Sequence, residues 1–167
     1  MNIQLRRPNW LNRTVKRIAS SRPGSWLFSH TLHHLDRAVV RLTRSQTSLT
    51  TLLTGLPVLT VTTQGAKTGK PRAVPLIGVP MGTDIILIAS NWGRAFHPAW
   101  YRNMKTHPAV TLSHRGQTAE YNARETEGEL RAACWGRAAE VYPGYDAYKR
   151  RAGTRQIPVV LLTPKAA

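Results

Sequence analysis

The chain contains few acidic residues. Its 167 residues include 8 Asp and Glu against 24 Lys and Arg, which gives a formal net charge of +16. Such an excess favours polyanionic partners: nucleic acid, an anionic membrane surface or a strongly acidic small ligand.

Only one cysteine is present, Cys134, so an internal disulfide is excluded and a reducing compartment fits best. Its surroundings, Ala-Ala-Cys-Trp, indicate a buried thiol on a helix.

Long apolar runs are also missing. No stretch approaches the roughly 20 apolar residues that a helix needs to cross a bilayer. The N-terminus has charges but no apolar segment of the kind that precedes a signal-peptide cleavage site. We therefore expect a cytoplasmic protein that is neither secreted nor membrane-spanning. An apolar content of 41% is enough for one hydrophobic core.

The basic charge is concentrated near the N-terminus. Residues 1–44 hold nine Lys or Arg and one acid, Asp36. Apolar side chains recur at three- and four-residue intervals over residues 26–42, which predicts an amphipathic basic helix. That helix packs either on the core of its own domain or on an anionic membrane, peripherally at the inner face of the cell membrane. Residues 1–23 are a basic arm whose order is left open, and residues 24–167 are expected to form one domain.

Two other kinds of site are not favoured. The sequence has no zinc-ligand spacing, no aromatic RNA-binding strand and no helix-turn-helix pattern, so nucleic-acid binding has only the charge to support it. His30 and His34 share a face of the N-terminal helix, but no further ligand is evident, and no metal site is expected.

Downstream of Pro57 the pattern changes from helical to extended. Short β-branched or alternating runs predict six strands, at residues 58–63, 72–79, 85–89, 109–113, 117–125 and 157–163. Helices are predicted at 97–106 and 127–141, the second beginning with a capping box formed by Thr126 and Glu129. Pro75 places the second strand at an edge or a bulge. Many short strands with few helices favour a small antiparallel barrel over a doubly wound sheet.

Residues 62–72 form a basic turn between the first two strands. Gly65 and Gly69 permit positive φ, and Lys67, Lys70 and Arg72 supply three cations within six residues. The turn is suited to a phosphate or carboxylate, although an exposed hairpin turn would have the same composition. A nucleotide P-loop is excluded because Pro71 follows Lys70 where a Ser or Thr is required.

Four linked motifs resemble the deazaflavin (coenzyme F420)-dependent nitroreductase family. They are the basic turn continued by Val74-Pro75-Leu76, then Ile88-Ala89-Ser90-Asn91, then the run from His97 to Asn103, and finally Tyr142 to Tyr148 with Ile157-Pro158-Val159-Val160. The resemblance extends over residues 24–164. It implies a mainly β fold, a small split antiparallel β-barrel related to FMN-binding proteins, with short helices and the N-terminal amphipathic helix packed on it. It also implies coenzyme F420, an 8-hydroxy-5-deazaflavin with a phosphodiester and an oligoglutamate tail.

The resemblance further implies roles for particular residues. Lys67 and Arg72 would bind the phosphate and the tail carboxylates, whereas Lys70 is expected to be solvated. The ring and ribityl chain would contact Val74, Pro75, Leu76, Ala89, Ser90, Asn91, Pro98, Trp100 and Asn103. The acceptor would contact Trp92 and three tyrosines that recur every third residue, Tyr142, Tyr145 and Tyr148.

Tyr145 is expected either to contact the substrate or to donate the proton, with Ser90 as a second catalytic candidate. Solvent is the alternative proton source. Each tyrosine has a second interpretation, as a half-buried surface residue. Two positions depart from the family pattern: Ala66 stands where Arg is frequent, and Trp92 where Gly is usual.

The predicted activity is hydride transfer from reduced coenzyme F420 to a hydrophobic, electron-poor acceptor such as a quinone, an enone or a nitroaromatic. Two alternatives stay open: a non-catalytic protein that binds the cofactor or a membrane, and an FMN-binding oxidoreductase of the same fold. Many split barrels dimerise, so a homodimer is also considered.

Overall fold

The computed structural model describes residues 55–165, and the predicted basic arm and N-terminal helix lie outside them. The described residues form one sheet and three α-helices. The strands are β1 Val58–Gln64, β2 Pro71–Ile77, β3 Val79–Met81, β4 Asp84–Ile88, β5 Ala109–His114, β6 Gln117–Glu125 and β7 Val159–Pro164. The helices are α1 Ala99–Thr106, α2 Gly128–Val141 and α3 Gly144–Arg151, and a short 3-10 turn spans Asn91–Gly93.

The sheet is antiparallel throughout, in the order β2-β1-β5-β6-β7-β4-β3. Strands β2 and β3 lie at its opposite edges, yet only Gly78 separates them in the chain. The sheet must therefore curl until its edges approach each other. This curled sheet with three short helices is the predicted split β-barrel. Pro75 lies in the edge strand β2 opposite Thr60, as expected for a residue without an N–H to donate.

One strand prediction was wrong: residues 72–79 do not form a single strand. The run breaks at Gly78, whose N–H donates to the Pro57 carbonyl at 2.9 Å. A Cβ at this position would collide with the Leu59 side chain. The close crossing turns the chain from one sheet edge to the other, and the sequence pattern alone does not separate this break from an ordinary strand glycine.

Strands β4 and β7 are covered on both faces. Ile85 and Leu87 point into the barrel core with Val160, while Ile86 and Ile88 point into a second core beneath α2 and α3. This accounts for the continuous apolar run of β4, because a strand buried on both faces does not alternate. This second core, the outer core, contains Tyr142, Tyr145 and Tyr148.

Both predicted helices are present as α1 and α2, whereas α3 was not predicted as a helix. Trp100 and Met104 are both buried in the barrel core, and Cys134 is a buried thiol on α2. The predicted capping box is wrong: Glu127 occupies the N-cap without a side-chain bond. Thr126 is only 3% exposed, and its hydroxyl donates instead to the Val159 carbonyl at 3.1 Å. The nearby strand β7 therefore competes successfully for that hydroxyl.

Strands β5 and β6 form a hairpin with a two-residue turn. Arg115 and Gly116 have φ of 49° and 78°, as a two-residue turn between twisted strands requires.

Within residues 55–165, none of the helices has the length and apolarity to traverse a bilayer.

Candidate active site

A cavity of about 830 Å³ opens between the basic turn, the edge strand β2, the segment that follows β4, and the start of α3. This volume lies within the range of roughly 300–1,000 Å³ typical of small-molecule and cofactor sites. The cavity brings together all but one of the predicted site residues: Lys67, Arg72, Val74, Pro75, Leu76, Ser90, Asn91, Trp92, Pro98, Trp100, Asn103, Tyr142, Tyr145 and Tyr148. The exception is Ala89, which is fully buried in the barrel core and does not line the cavity.

The basic turn is closed by its own backbone. The Gly65 N–H donates to the Lys70 carbonyl at 2.9 Å, and the Gly69 N–H donates to the Gly65 carbonyl at 2.8 Å. Gly69 has a φ of 65°, the left-handed region in which glycine is favoured. The turn is therefore a formed structure and not an open loop.

Three cations project from this turn, and all are exposed. Among residues 55–165, Lys67, Lys70 and Arg72 have no carboxylate within salt-bridge distance. Only Lys67 and Arg72 line the cavity. These two side chains give one end of the cavity a positive potential that no described acid neutralises, which suits a phosphate or carboxylate ligand.

Asn103 holds the basic turn against α1. Its Oδ1 accepts from the Ala66 N–H at 3.0 Å, and its Nδ2 donates to Thr63 Oγ1 at 3.0 Å. The Thr63 hydroxyl in turn donates to the Arg72 carbonyl at 3.3 Å. Both ends of the Asn103 amide are thus engaged by protein atoms, so the residue positions the turn in addition to lining the cavity.

A tight left-handed turn follows β4. Asn91, Trp92 and Gly93 have φ of 47°, 61° and 78°, and the first two are strained because they carry a Cβ. Packing offsets this strain. The Trp92 ring meets Tyr148 edge to face with centroids 5.8 Å apart, and a Cβ at Gly93 would lie 2.9 Å from the Tyr148 carbonyl oxygen. The conformation also explains why glycine suits the position that Trp92 occupies.

Arg155, which the sequence analysis did not identify, holds the backbone that follows β4 at the rim of the cavity. Its Nη2 donates to the Ser90 carbonyl at 2.7 Å, its Nε to the Arg94 carbonyl at 2.8 Å, and its Nη1 to the Ala89 carbonyl at 3.4 Å. Nη1 also lies 3.2 Å from His97 Nδ1. No local pattern points to Arg155, because its partners lie 58 to 66 residues earlier in the chain.

Ser90 and Tyr145 present hydroxyl groups to the cavity. Both residues are largely buried, with 8% and 4% of their surface exposed, and both line the cavity. Neither hydroxyl has a hydrogen-bond partner within the described part of the chain, yet neither is an unsatisfied buried atom. Both residues are therefore candidates to contact a ligand in the cavity.

The three tyrosines form one cluster at the start of α3. The Tyr142 and Tyr148 hydroxyls are hydrogen-bonded at 2.9 Å, and the Tyr145 ring lies edge to face with Tyr142, with centroids 5.1 Å apart. Burial, and then the neighbouring Tyr148, raises the pKa of Tyr145 well above its usual value. Tyr145 is thus a protonated phenol at any physiological pH, able to donate a hydrogen bond without ionising.

The basic residues and the tyrosine cluster lie near opposite ends of strand β2. Arg72 is near its start beside the basic turn, while Ile77 at its end packs on the outer core that contains the tyrosines. Seven extended residues span roughly 20 Å at about 3.3 Å per residue. The cavity therefore has a basic end and an apolar, phenolic end.

Fold and cavity together define a split β-barrel protein whose elongated cavity has a basic end. The comparisons with known proteins name the family. The model of the F420H(2)-dependent quinone reductase family matches residues 35–164. The chain is 32% identical over 110 residues to the F420H(2)-dependent quinone reductase Rv1261c of Mycobacterium tuberculosis, covering 64% of this chain and 73% of that protein.

Solved structures agree with this match. An F420-H2 dependent reductase, FDR-A, is 39% identical, with a TM-score of 0.59 over 64% of this chain and 93% of its own. A structure described as a domain-swapped dimer is 33% identical, with a TM-score of 0.61 over 84% of this chain and 98% of its own. The chain belongs to the F420H(2)-dependent quinone reductase family. It is an oxidoreductase, and its cofactor is coenzyme F420. The resemblance drawn from the sequence motifs is confirmed.

Proposed function

We propose that the cavity binds reduced coenzyme F420 with its anionic tail at the basic turn and a hydrophobic quinone at the phenolic end. The observation that carries this proposal is the pairing of two unneutralised cations, Lys67 and Arg72, with a largely apolar cavity in one continuous space. A cofactor with a polyanionic tail and a flat aromatic ring fits both features. Charge-assisted hydrogen bonds from these cations would be stronger than neutral ones.

Different residues of the cavity bind the tail and the ring of the cofactor. Lys67 and Arg72 bind the phosphate and the tail carboxylates. Ser90 and Asn91, at the end of a rigid strand, meet the ring, with Pro75 and Leu76 facing it from the edge strand. When bound, the reduced deazaflavin supplies a hydride. Reduction of a quinone to its quinol takes that hydride and one proton.

Tyr145 orients the acceptor. Tyr145 lines the cavity, its hydroxyl has no hydrogen-bond partner within residues 55–165, and burial raises its pKa. A phenol with a raised pKa does not readily give up its proton, but it donates a hydrogen bond. It therefore polarises a quinone carbonyl, while solvent supplies the proton. Enones and nitroaromatics are proposed as further acceptors because each presents an oxygen atom to the same donor.

The activity assay follows oxidation of reduced coenzyme F420 by a naphthoquinone. Reduced FMN and NADPH serve as control donors in the same buffer. We expect turnover with reduced coenzyme F420 well above either control. Equal or greater turnover with reduced FMN would overturn the proposal in favour of a flavin enzyme. Tight binding of coenzyme F420 without turnover of any acceptor would favour a non-catalytic cofactor-binding protein.

Contact with an anionic membrane is a second proposal, favoured by Phe96. This residue lines the cavity, and its side chain is 59% exposed, the largest exposed apolar group in the part of the chain that the structure describes. An aromatic side chain at the opening would help a lipid-soluble quinone to enter. Sedimentation with anionic vesicles tests this: the full chain should bind, and Phe96→Ser should bind less. Equal binding of both proteins would contradict a role for Phe96.

A further inference from the structure

We propose that Arg155 holds His97 as a neutral imidazole with its proton on Nε2, and that this N–H donates a hydrogen bond to an oxygen atom of the acceptor. The proposal rests on the proposed function, because it names a residue that recognises the quinone oxygen. His97 is the recognising group and touches the acceptor, whereas Arg155 is a positioning residue.

The tautomer follows from donor and acceptor chemistry. A guanidinium group has N–H donors and no acceptor. Arg155 Nη1 lies 3.2 Å from His97 Nδ1, so Nδ1 must accept and the ring proton must be on Nε2. His97 lines the cavity, and the one hydrogen bond of its ring within residues 55–165 is that between Nδ1 and Arg155. The N–H that Arg155 fixes is therefore the polar group that His97 can offer to a ligand.

The surroundings keep the imidazole neutral. Burial lowers the pKa of His97, and the positive charges of Arg155 and Arg102 lower it further, against an opposing effect of Glu125. Tyr101 completes the surroundings: its ring lies 5.2 Å from the His97 ring between centroids, and its hydroxyl donates to Glu125 at 2.7 Å. The pKa lies below the ordinary value of about 6.5, so His97 is uncharged at pH 7.

A neutral donor suits an acceptor whose oxygen becomes negatively charged as the hydride arrives. Such a donor strengthens its bond as charge develops and needs no change of its own protonation. Protonation of His97 would place a second cation against Arg155 and remove the acceptor at Nδ1. The contact, and the stability that it contributes, is therefore present above pH 6.5 and is lost as pH falls through the lowered pKa.

The first test observes the tautomer directly, without cofactor. Nitrogen-15 NMR of the histidine imidazoles in the full chain, with His97 assigned by comparison with His97→Gln, should show Nε2 protonated and Nδ1 unprotonated. The pKa should lie below that of a free histidine. In Arg155→Gln, which removes the charge, the pKa of His97 should rise, whereas Arg155→Lys should keep it low. A proton on Nδ1, or the same pKa in wild type and Arg155→Gln, would overturn the proposal.

The second test measures quinone reduction. His97→Leu should lower kcat/KM by about tenfold, the effect of losing one hydrogen bond to a developing charge, without changing the affinity for coenzyme F420. His97→Gln, which retains an N–H donor, should recover part of that loss, and the acidic limb of the Arg155→Gln rate profile should move to higher pH. Thermal melting of each variant establishes that it is folded.

The two proposals fail in different ways. A wild type that reduces no quinone overturns the proposed function and the acceptor role of His97 with it. An active wild type with equally active His97→Leu overturns the His97 role alone.

Discussion

The two ends of the cavity are built in opposite ways. At the basic end, exposed side chains project from a turn that its own backbone closes, and no described acid neutralises Lys67 or Arg72. At the other end, Ser90 and the tyrosines are buried, and the rim is fixed by Arg155 from a distant part of the chain. The first end works by charge and should tolerate substitution. The second works by shape, so its function and stability should change together.

The largest loss of stability is expected at Gly93, which lies at the buried end of the cavity. Gly93 and Gly116 have the same φ of 78°, but a Cβ at Gly93 would lie 2.7 Å from Arg151 Cβ, while Gly116 has open space around it. Gly93→Ala should therefore destabilise the protein by about 2–5 kcal/mol, and Gly116→Ala by only about 1–2 kcal/mol. Chemical denaturation measures both. Equal losses would contradict the close packing of the rim on α3.

Tyr145→Phe should separate chemistry from cofactor binding. Removal of the hydroxyl that we propose to contact the acceptor should lower kcat with a naphthoquinone roughly 10- to 100-fold. The affinity for coenzyme F420 should stay unchanged. Tyr142→Phe is the matched control, because its hydroxyl is already bonded to Tyr148, and it should lose about 1 kcal/mol of stability with little effect on kcat. A larger kinetic defect in Tyr142→Phe would reverse the assignment.

At the basic end, single substitutions should change affinity alone. Lys67→Ala and Arg72→Ala should each weaken binding of coenzyme F420 by about tenfold, with melting temperature unchanged, since both side chains are exposed. Lys70→Ala removes the same charge from the same turn but does not line the cavity. Isothermal titration should show a much smaller effect for Lys70→Ala. Three equal effects would mean that only the total charge matters.

The smallest effect is expected at Trp92, where strain and packing oppose each other. Trp92→Gly relieves left-handed strain of about 1 kcal/mol and loses an edge-to-face contact of about 0.5–1.5 kcal/mol. Its stability should therefore stay within about 1 kcal/mol of the wild type, and bulkier quinones should be reduced faster relative to small ones. Trp92→Ala keeps the strain without the ring, so it should be less stable than Trp92→Gly. The reverse order would argue against strain at this position.

The comparison also shows what a sequence can reveal. The basic turn was predictable because its glycines and cations lie within eleven residues and close on themselves. Strand β4 was predictable because burial on both faces leaves a continuous apolar run. The three tyrosines were noticeable because they recur every third residue, and the family resemblance supplied their expected roles.

The remaining features depend on long-range contacts. Nothing near Arg155 indicates that it binds carbonyls at Ser90 and Arg94, or that it sets the tautomer of His97. Gly78 resembles any strand glycine until its crossing over Leu59 is known. Thr126 matched a capping box, yet β7 provides a better acceptor for its hydroxyl. In each case a partner from elsewhere in the chain overrode the local pattern.

The central claim is that the basic end of the cavity binds the anionic tail of coenzyme F420. The most direct test is a calorimetric titration of the full chain with coenzyme F420 and with its tail-less form, 8-hydroxy-5-deazariboflavin, at low and high salt. We expect coenzyme F420 to bind more tightly at low salt, with an advantage that shrinks as salt screens the tail. Equal affinity for both compounds at both salt concentrations would contradict the account.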